Sequence, residues 1–259
     1  MSSFVLIPGA WLGGWSWQAV TSRLRESGHT VYPLSLTGLG ERVHLGGPQV
    51  NLDTHIADVT NLIRYEELDR VVLVGHSYAG IVVTGAADRV ADRIAQVVYV
   101  DSGPAPNGAT YLDLLPAEAQ QRLRRTVAEI GEGWRLPMPA WDELGTTASL
   151  EGLDDEKRRQ IRARAADQPF GTYTQPLRLT NASAKRLPKV LIASSIPLER
   201  VRQMIAAGHP WFRELGGPEW TLAALPTGHW PMFSRPRELA VMLNDLARAA
   251  REPLGASRG

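Results

Sequence analysis

The segment VVLVGHSYAGIVV at residues 71–83 sets one serine, Ser77, between two apolar runs. The first run reads as a strand, Gly75 to Ser77 as a tight turn, and the second run as a helix. In such an elbow the serine sits in a strained turn among small neighbours, which lifts its hydroxyl above the sheet edge at the mouth of a helix. The pattern Gly-x-Ser-x-Gly is met as Gly75, Ser77 and Ala79, with Gly80 following. Alanine is small enough for that close packing. A serine that only caps a helix needs no apolar strand before it, so Ser77 is read as a nucleophile.

A serine hydroxyl attacks poorly unless a base removes its proton. The segment LPTGHWP at residues 225–231 supplies one candidate, His229, directly after the strand-like run 220–225 and in a turn that can swing an imidazole over Ser77. His29 starts a strand, His44 and His55 lie in the region before the third helix, and His209 precedes a proline. His76 is expected to be structural, because side chains flanking an elbow serine point away from it.

These side chains need a scaffold that brings distant segments together. Residues 4–7, 30–34, 71–74 and 94–100 are short runs rich in Val and Ile with little alternation, as in strands covered on both faces. Helical stretches at 15–27, 53–67 and 78–90 separate them, the pattern of βαβ units and a parallel sheet. From 104 to 187 the texture changes, with prolines at 104, 106, 116, 137 and 139, helical segments at 117–130 and 154–166, and no strand-like run. That segment is expected to form a helical cap inserted into a core made of residues 1–103 and 188–259. Strand texture resumes at 189–193 and 220–225, a helix at 236–251 closes the core, and 252–259 reads as a frayed tail.

Composition narrows the function. The 259 residues are 44% hydrophobic and 21% charged, with a formal net charge of +1, which gives no basic footprint for nucleic acid. Cysteine is absent, which excludes disulfides, thiolate metal sites and a cysteine nucleophile. The N-terminus lacks a basic region before its apolar run, and no apolar stretch approaches bilayer-spanning length, so a soluble cytoplasmic protein is expected. The expected partners are a small-molecule substrate and at most a second copy of the chain in a homodimer; neither nucleic acid nor a membrane is expected.

The chain resembles the α/β-hydrolases close to plant methylesterases and hydroxynitrile lyases. The resemblance rests on VLIPGAWLGGWSW at 5–17, GHTVYPL at 28–34 with LGER at 39–42, the elbow, and Thr227-Gly228-His229. It implies an α/β-hydrolase fold, a mostly parallel sheet with helices on both faces and a helical cap. The loop after the first strand usually reads His-Gly in that family; here it is Pro8-Gly9. Family logic implies an oxyanion hole from the backbone amides of Ala10 and Tyr78. Gly9 lets the backbone approach a bound carbonyl, and Tyr78 opens a helix whose free amides and dipole favour negative charge.

The acid of the triad departs from the family pattern. Related enzymes carry an aspartate after the strand preceding the histidine strand, but here 189–193 runs into Ser194-Ser195-Ile196-Pro197, and no aspartate lies between Asp167 and Asp245. Glu199 is the nearest carboxylate. Asp101, at the end of the strand that follows the elbow, is preferred, because a carboxylate at a strand's C-terminal end can reach an imidazole in the shared crevice.

Eight tryptophans are present. Trp11, Trp134, Trp141, Trp211 and Trp230 fall where a pocket would be lined, although tryptophan is more often core, and Trp11, Trp134, Trp141 and Trp230 are taken as substrate-binding. The expected reaction is that of a carboxylesterase: hydrolysis of a carboxylic ester, lactone or thioester of a small apolar or aromatic substrate through an acyl-enzyme, with no metal or organic cofactor implied. A lyase or cyclase using Ser77 and His229 only as acid and base, and a receptor retaining a hydrolase pocket, are the alternatives.

Overall fold

The computed structural model describes residues 1–209 and 212–250. Trp211, the end of the last helix at Arg251 and the tail 252–259 lie outside the described residues.

Six parallel strands form the central sheet: β1 (Ser3–Ile7), β2 (Thr30–Pro33), β3 (Val71–His76), β4 (Ile94–Val100), and two later strands, β7 (Lys189–Ala193) and β8 (Trp220–Ala224), in the order β2-β1-β3-β4-β7-β8. The missing alternation in the sequence has a direct cause. Along β1, β3 and β4, Val5, Ile7, Leu73, Val97 and Tyr99 face one buried cluster while Phe4, Leu6, Val72, Val74, Val98 and Val100 face another. Both faces of these central strands are covered, so most of their positions select an apolar side chain.

Helices α1 (Gln18–Glu26), α2 (Leu52–Tyr65) and α3 (Ala79–Arg89) make the crossovers. The expected helix at 15–27 is in fact a 3-10 turn, Gly14–Trp17, running into α1. Asn51 and Thr54 form a reciprocal capping box that starts α2.

Between β4 and β7 lie α4 (Ala117–Glu129), β5 (Arg135–Leu136), α5 (Trp141–Leu144), α6 (Asp155–Arg164), β6 (Gln168–Pro169) and α7 (Gly171–Thr174). The pairing of β5 with β6 corrects the expectation that 104–187 holds no strand. Two residues per strand are too few to leave a period in the sequence. After β7 come α8 (Leu198–Ala206), β8, α9 (Pro231–Ser234) and α10 (Pro236–Ala249), which lays Leu239, Leu243 and Ala247 on the sheet. Among the described residues no helix is long and apolar enough to cross a membrane.

Candidate active site

Ser77 follows β3 directly, with φ at +52°, a left-handed conformation that costs a non-glycine residue of order 1–3 kcal/mol and must be imposed by its surroundings. Its N–H donates to Val100 O (3.2 Å), and its carbonyl accepts from Gly80 N (2.9 Å) and from Ser102 Oγ (2.5 Å). A Cβ on Gly75 would lie 2.8 Å from Val83 Cγ1 and 2.9 Å from Ala79 O. At position 79 the alanine methyl is fully buried. The tighter position is Gly80, where a Cβ would strike Ser102 Oγ and come within 2.6 Å of Gly103 O. The elbow's second compulsory glycine has therefore moved one residue along.

His229 bridges two partners. Its Nε2 lies 2.8 Å from Ser77 Oγ and its Nδ1 2.6 Å from Asp101 Oδ2. An ionised carboxylate only accepts, so Nδ1 carries the proton and Nε2 faces the serine as acceptor. The histidine's own N–H donates to Ser149 O (2.8 Å), and a Cβ at Gly228 would come within 2.7 Å of that same carbonyl. Only glycine lets the loop press this closely on residues 149–151.

Asp101 follows β4 directly with φ at +45°, and its side chain is 6% exposed. It accepts from Ser194 N (3.0 Å), Ser195 N (2.8 Å) and Ser195 Oγ (2.6 Å) as well as from His229. Burial pushes its pKa up, but the hydrogen bonds and charge of His229 and the donors of Ser195 outweigh that and hold the carboxyl down at about 2. Ser194 and Ser195, after β7, thus supply donors to the carboxylate that follows the neighbouring strand. Glu199 does not reach the histidine; it sits exposed on α8, 3.9 Å from Arg202.

His76 flanks Ser77 in sequence, yet it also touches His229. Its Nε2 donates to the carbonyl of His229 (2.7 Å), and the two rings pack at 4.9 Å. Burial, then the nearby His229, lowers its pKa to about 3, so it is neutral at ordinary pH. The ring passes under Gly9, where a Cβ would sit 2.7 Å from Nδ1.

Among the described residues, neither the Ala10 N–H nor the Tyr78 N–H has a hydrogen-bond acceptor. Ala10 lines the same cavity as Ser77, and Tyr78 is the residue that opens α3. The next residue, Trp11, is gripped from three sides at φ +65°: its N–H donates to Gln168 Oε1 (3.1 Å), its carbonyl accepts from Ala166 N (2.9 Å), and its indole Nε1 donates to Leu136 O (2.9 Å). Gln168 is wholly buried and is itself fixed through Nε2 to Thr172 Oγ1 (2.9 Å).

The Tyr78 side chain is buried, stacked on Tyr173 at 5.4 Å and edge-on to Tyr111 at 5.3 Å. His55 Nε2 lies 2.9 Å from Thr37 O and must donate to it, so Nδ1 accepts from the Tyr78 hydroxyl at 2.9 Å. Burial lowers the His55 pKa to about 4. Tyr111 lines the same cavities as Ser77, and burial raises the pKa of its phenol.

Two cavities of about 420 Å³ meet at Ser77 and His229. Trp11 and Trp230 line the first as expected. Trp134 and Trp141 line neither, which corrects that expectation. Pairing of β5 carries Trp134 to the Gly46 turn beneath the Arg135 guanidinium, and Trp141 packs behind Trp230, edge-on at 5.9 Å. Sequence reasoning missed Tyr111, Leu115, Thr147 and Gln168, which have no motif, and the contact of His76 with the His229 loop, for which adjacency to the serine was the one available signal.

The chain is similar to known hydrolases. The chain matches the alpha/beta hydrolase family over residues 4–241. It is 35% identical over 253 residues to a carbendazim hydrolyzing esterase from Nocardioides sp. (strain SG-4G), covering 94% of this chain and 98% of that protein. It is 31% identical to methyl jasmonate esterase 1 of Vitis vinifera, covering 95% of this chain and 97% of that one. An extracellular alpha/beta-hydrolase from a Paenibacillus species shares the fold with a TM-score of 0.78 at 23% identity, over 97% of this chain and 100% of that one. The chain belongs to the alpha/beta hydrolase family and is a hydrolase.

Proposed function

We propose that the enzyme is a carboxylesterase that cleaves its substrate through an acyl-enzyme on Ser77. The observation that carries the reading is the unbroken contact chain from Ser77 Oγ to His229 Nε2 (2.8 Å) and from His229 Nδ1 to Asp101 Oδ2 (2.6 Å). Ser77 Oγ attacks the acyl carbon while His229 Nε2 takes its proton. The carbonyl oxygen becomes an oxyanion that the N–H groups of Ala10 and Tyr78 hold, each donor being worth about 3 to 4 kcal/mol in the transition state. The tetrahedral intermediate collapses, and His229 gives its proton to the departing alkoxide. Water then repeats the sequence on the acyl-enzyme, releasing the acid and regenerating Ser77.

Asp101 keeps His229 in the productive tautomer and stabilises the imidazolium. A carboxyl held at about 2 is ionised throughout the working range, as that role requires. Residues 104–187 act as the cap: they wall the cavities above Ser77 and grip Trp11 beside the oxyanion donors. A lyase or cyclase needs an acid and a base but no oxyanion donors; the Ala10 and Tyr78 N–H groups, which have no acceptor among the described residues, support acyl transfer instead. The test is turnover of a short p-nitrophenyl ester by Ser77→Ala. Loss of at least 10³-fold is expected, by analogy with nucleophile deletions of about 10⁶-fold; a parental rate contradicts the assignment.

A further inference from the structure

The space above Ser77 has two lobes of equal size, and this bears on the substrate. One lobe, about 420 Å³, opens on the Ala10 side under α4 and is walled by Ala119, Leu123, Leu144, Ala148 and Trp230. The other, also about 420 Å³, opens on the Asp101 side and is walled by Ile81, Leu191, Val201, Phe212 and Leu215. Ser77 and His229 belong to both, and Tyr111, Leu115 and Thr147 form the waist between them. A scissile carbonyl on Ser77 therefore sits at the waist, with its acyl and alcohol portions directed into separate lobes.

The linings select for character as well as size. The cation of the first lobe, Arg122, is paired with Glu143 at 3.2 Å, and the carboxylate of the second, Asp101, is engaged by four donors. Neither lobe presents an unpaired ion among the described residues to a charged ligand. A methyl group, comparable to the ~30 Å³ share of one water, leaves nearly all of one lobe unfilled and forfeits the apolar burial its walls offer, about 25 cal/mol per Å². We infer that the substrate is a neutral ester with a bulky apolar group on each side of the scissile carbonyl, an ester of a hydrophobic acid with a hydrophobic alcohol, rather than a methyl ester or an acetate. This rests on the acyl-enzyme reading above.

The experiment compares benzyl phenylacetate, methyl phenylacetate, benzyl acetate and methyl acetate with the parental enzyme, Ser77→Ala, Ala119→Trp on α4 and Ile196→Trp at the rim of the second lobe. Ile196 is 40% exposed, so enlarging it leaves the core intact; thermal melts check both lobe variants. The two-sided ester should exceed each one-sided ester by at least tenfold in kcat/KM. Each lobe variant should lower turnover of esters bulky on one particular side, the two variants acting on opposite sides. Equal or better turnover of methyl phenylacetate or benzyl acetate, or both variants acting on the same side, overturns the two-lobe inference while loss of activity in Ser77→Ala leaves the acyl-enzyme reading standing. Parental activity in Ser77→Ala would remove both.

Discussion

The sheet edge and the segment 104–187 above it hold the site by different means. At the edge, Ser77 and Asp101 sit at strand ends with positive φ, and His229 is locked by its own backbone and by the close approach at Gly228. Trp11, Ser77 and Asp101 are three of the six positive-φ residues other than glycine among the described residues, so backbone strain is concentrated where the chemistry is. The segment above contributes side-chain walls and one buried amide, Gln168, that clasps Trp11. On the proposed acyl-enzyme reading, the edge fixes the atoms that would react, and the covering segment fixes what is admitted and how firmly the loop at Trp11 is held. Variants at the edge should accordingly abolish the chemical step, and variants above it should tune it.

The sharpest test of that division is Asp101→Asn, which keeps the shape but offers His229 Nδ1 a neutral partner and misdirects the tautomer. A fall of about 10⁴-fold in kcat is expected, whereas Glu199→Gln should leave steady-state rates unchanged. The double variant Asp101→Asn with Ser195→Asp returns a carboxylate from the adjoining strand end and should recover part of the loss, since Ser195 Oγ already lies 2.6 Å from Asp101 Oδ2. No recovery would mean that the end of β4 alone can serve the histidine.

Gln168→Leu removes the acceptor for Trp11 N–H without changing either lobe. One lost hydrogen bond, about 1 kcal/mol, should lower kcat by roughly five- to tenfold with KM little altered, because the loop matters when the oxyanion forms. A change confined to KM would return Gln168 to a purely structural role.

A different kind of effect concerns acid stability. Burial lowers the folded pKa values of His55 and His76 to about 4 and about 3, against an ordinary 6.5. Below 6.5 the unfolded chain binds protons that the folded chain refuses, so stability is complete above about 6.5 and declines as pH falls toward those folded values. Each histidine contributes up to about 1.4 kcal/mol per pH unit in that window. The melting temperature should drop between pH 7 and pH 5, and less steeply in His55→Gln; an unchanged slope contradicts the neutral burial of His55. At the end of the scale, Trp134→Phe should leave KM unaffected, while Trp230→Phe, at the wall of the first lobe, should raise it.

What could be read in the sequence follows the same division. The elbow, His229 and the sheet were legible because each depends on local backbone demands: apolar runs, compulsory glycines, a serine at a turn. Asp101 was legible through its strand-end position, although the cradle that Ser194 and Ser195 make for it appears only when β4 and β7 pair. The walls were not legible. Trp134 and Trp141 belong to short elements whose direction is set by packing and by a two-residue ladder, and Tyr111 and Gln168 reach the site from 34 and 91 residues beyond Ser77 in a segment without periodic signal. Residue type alone does not say which way a side chain in such a segment faces.

The most direct test of the central claim is acid-quenched intact-mass and peptide analysis of the enzyme mixed with a slowly deacylating p-nitrophenyl ester. A mass increase equal to the acyl group is expected, confined to the peptide carrying Ser77 and absent from Ser77→Ala. Product formation with no acyl adduct on that peptide, or an adduct on another residue, would contradict it.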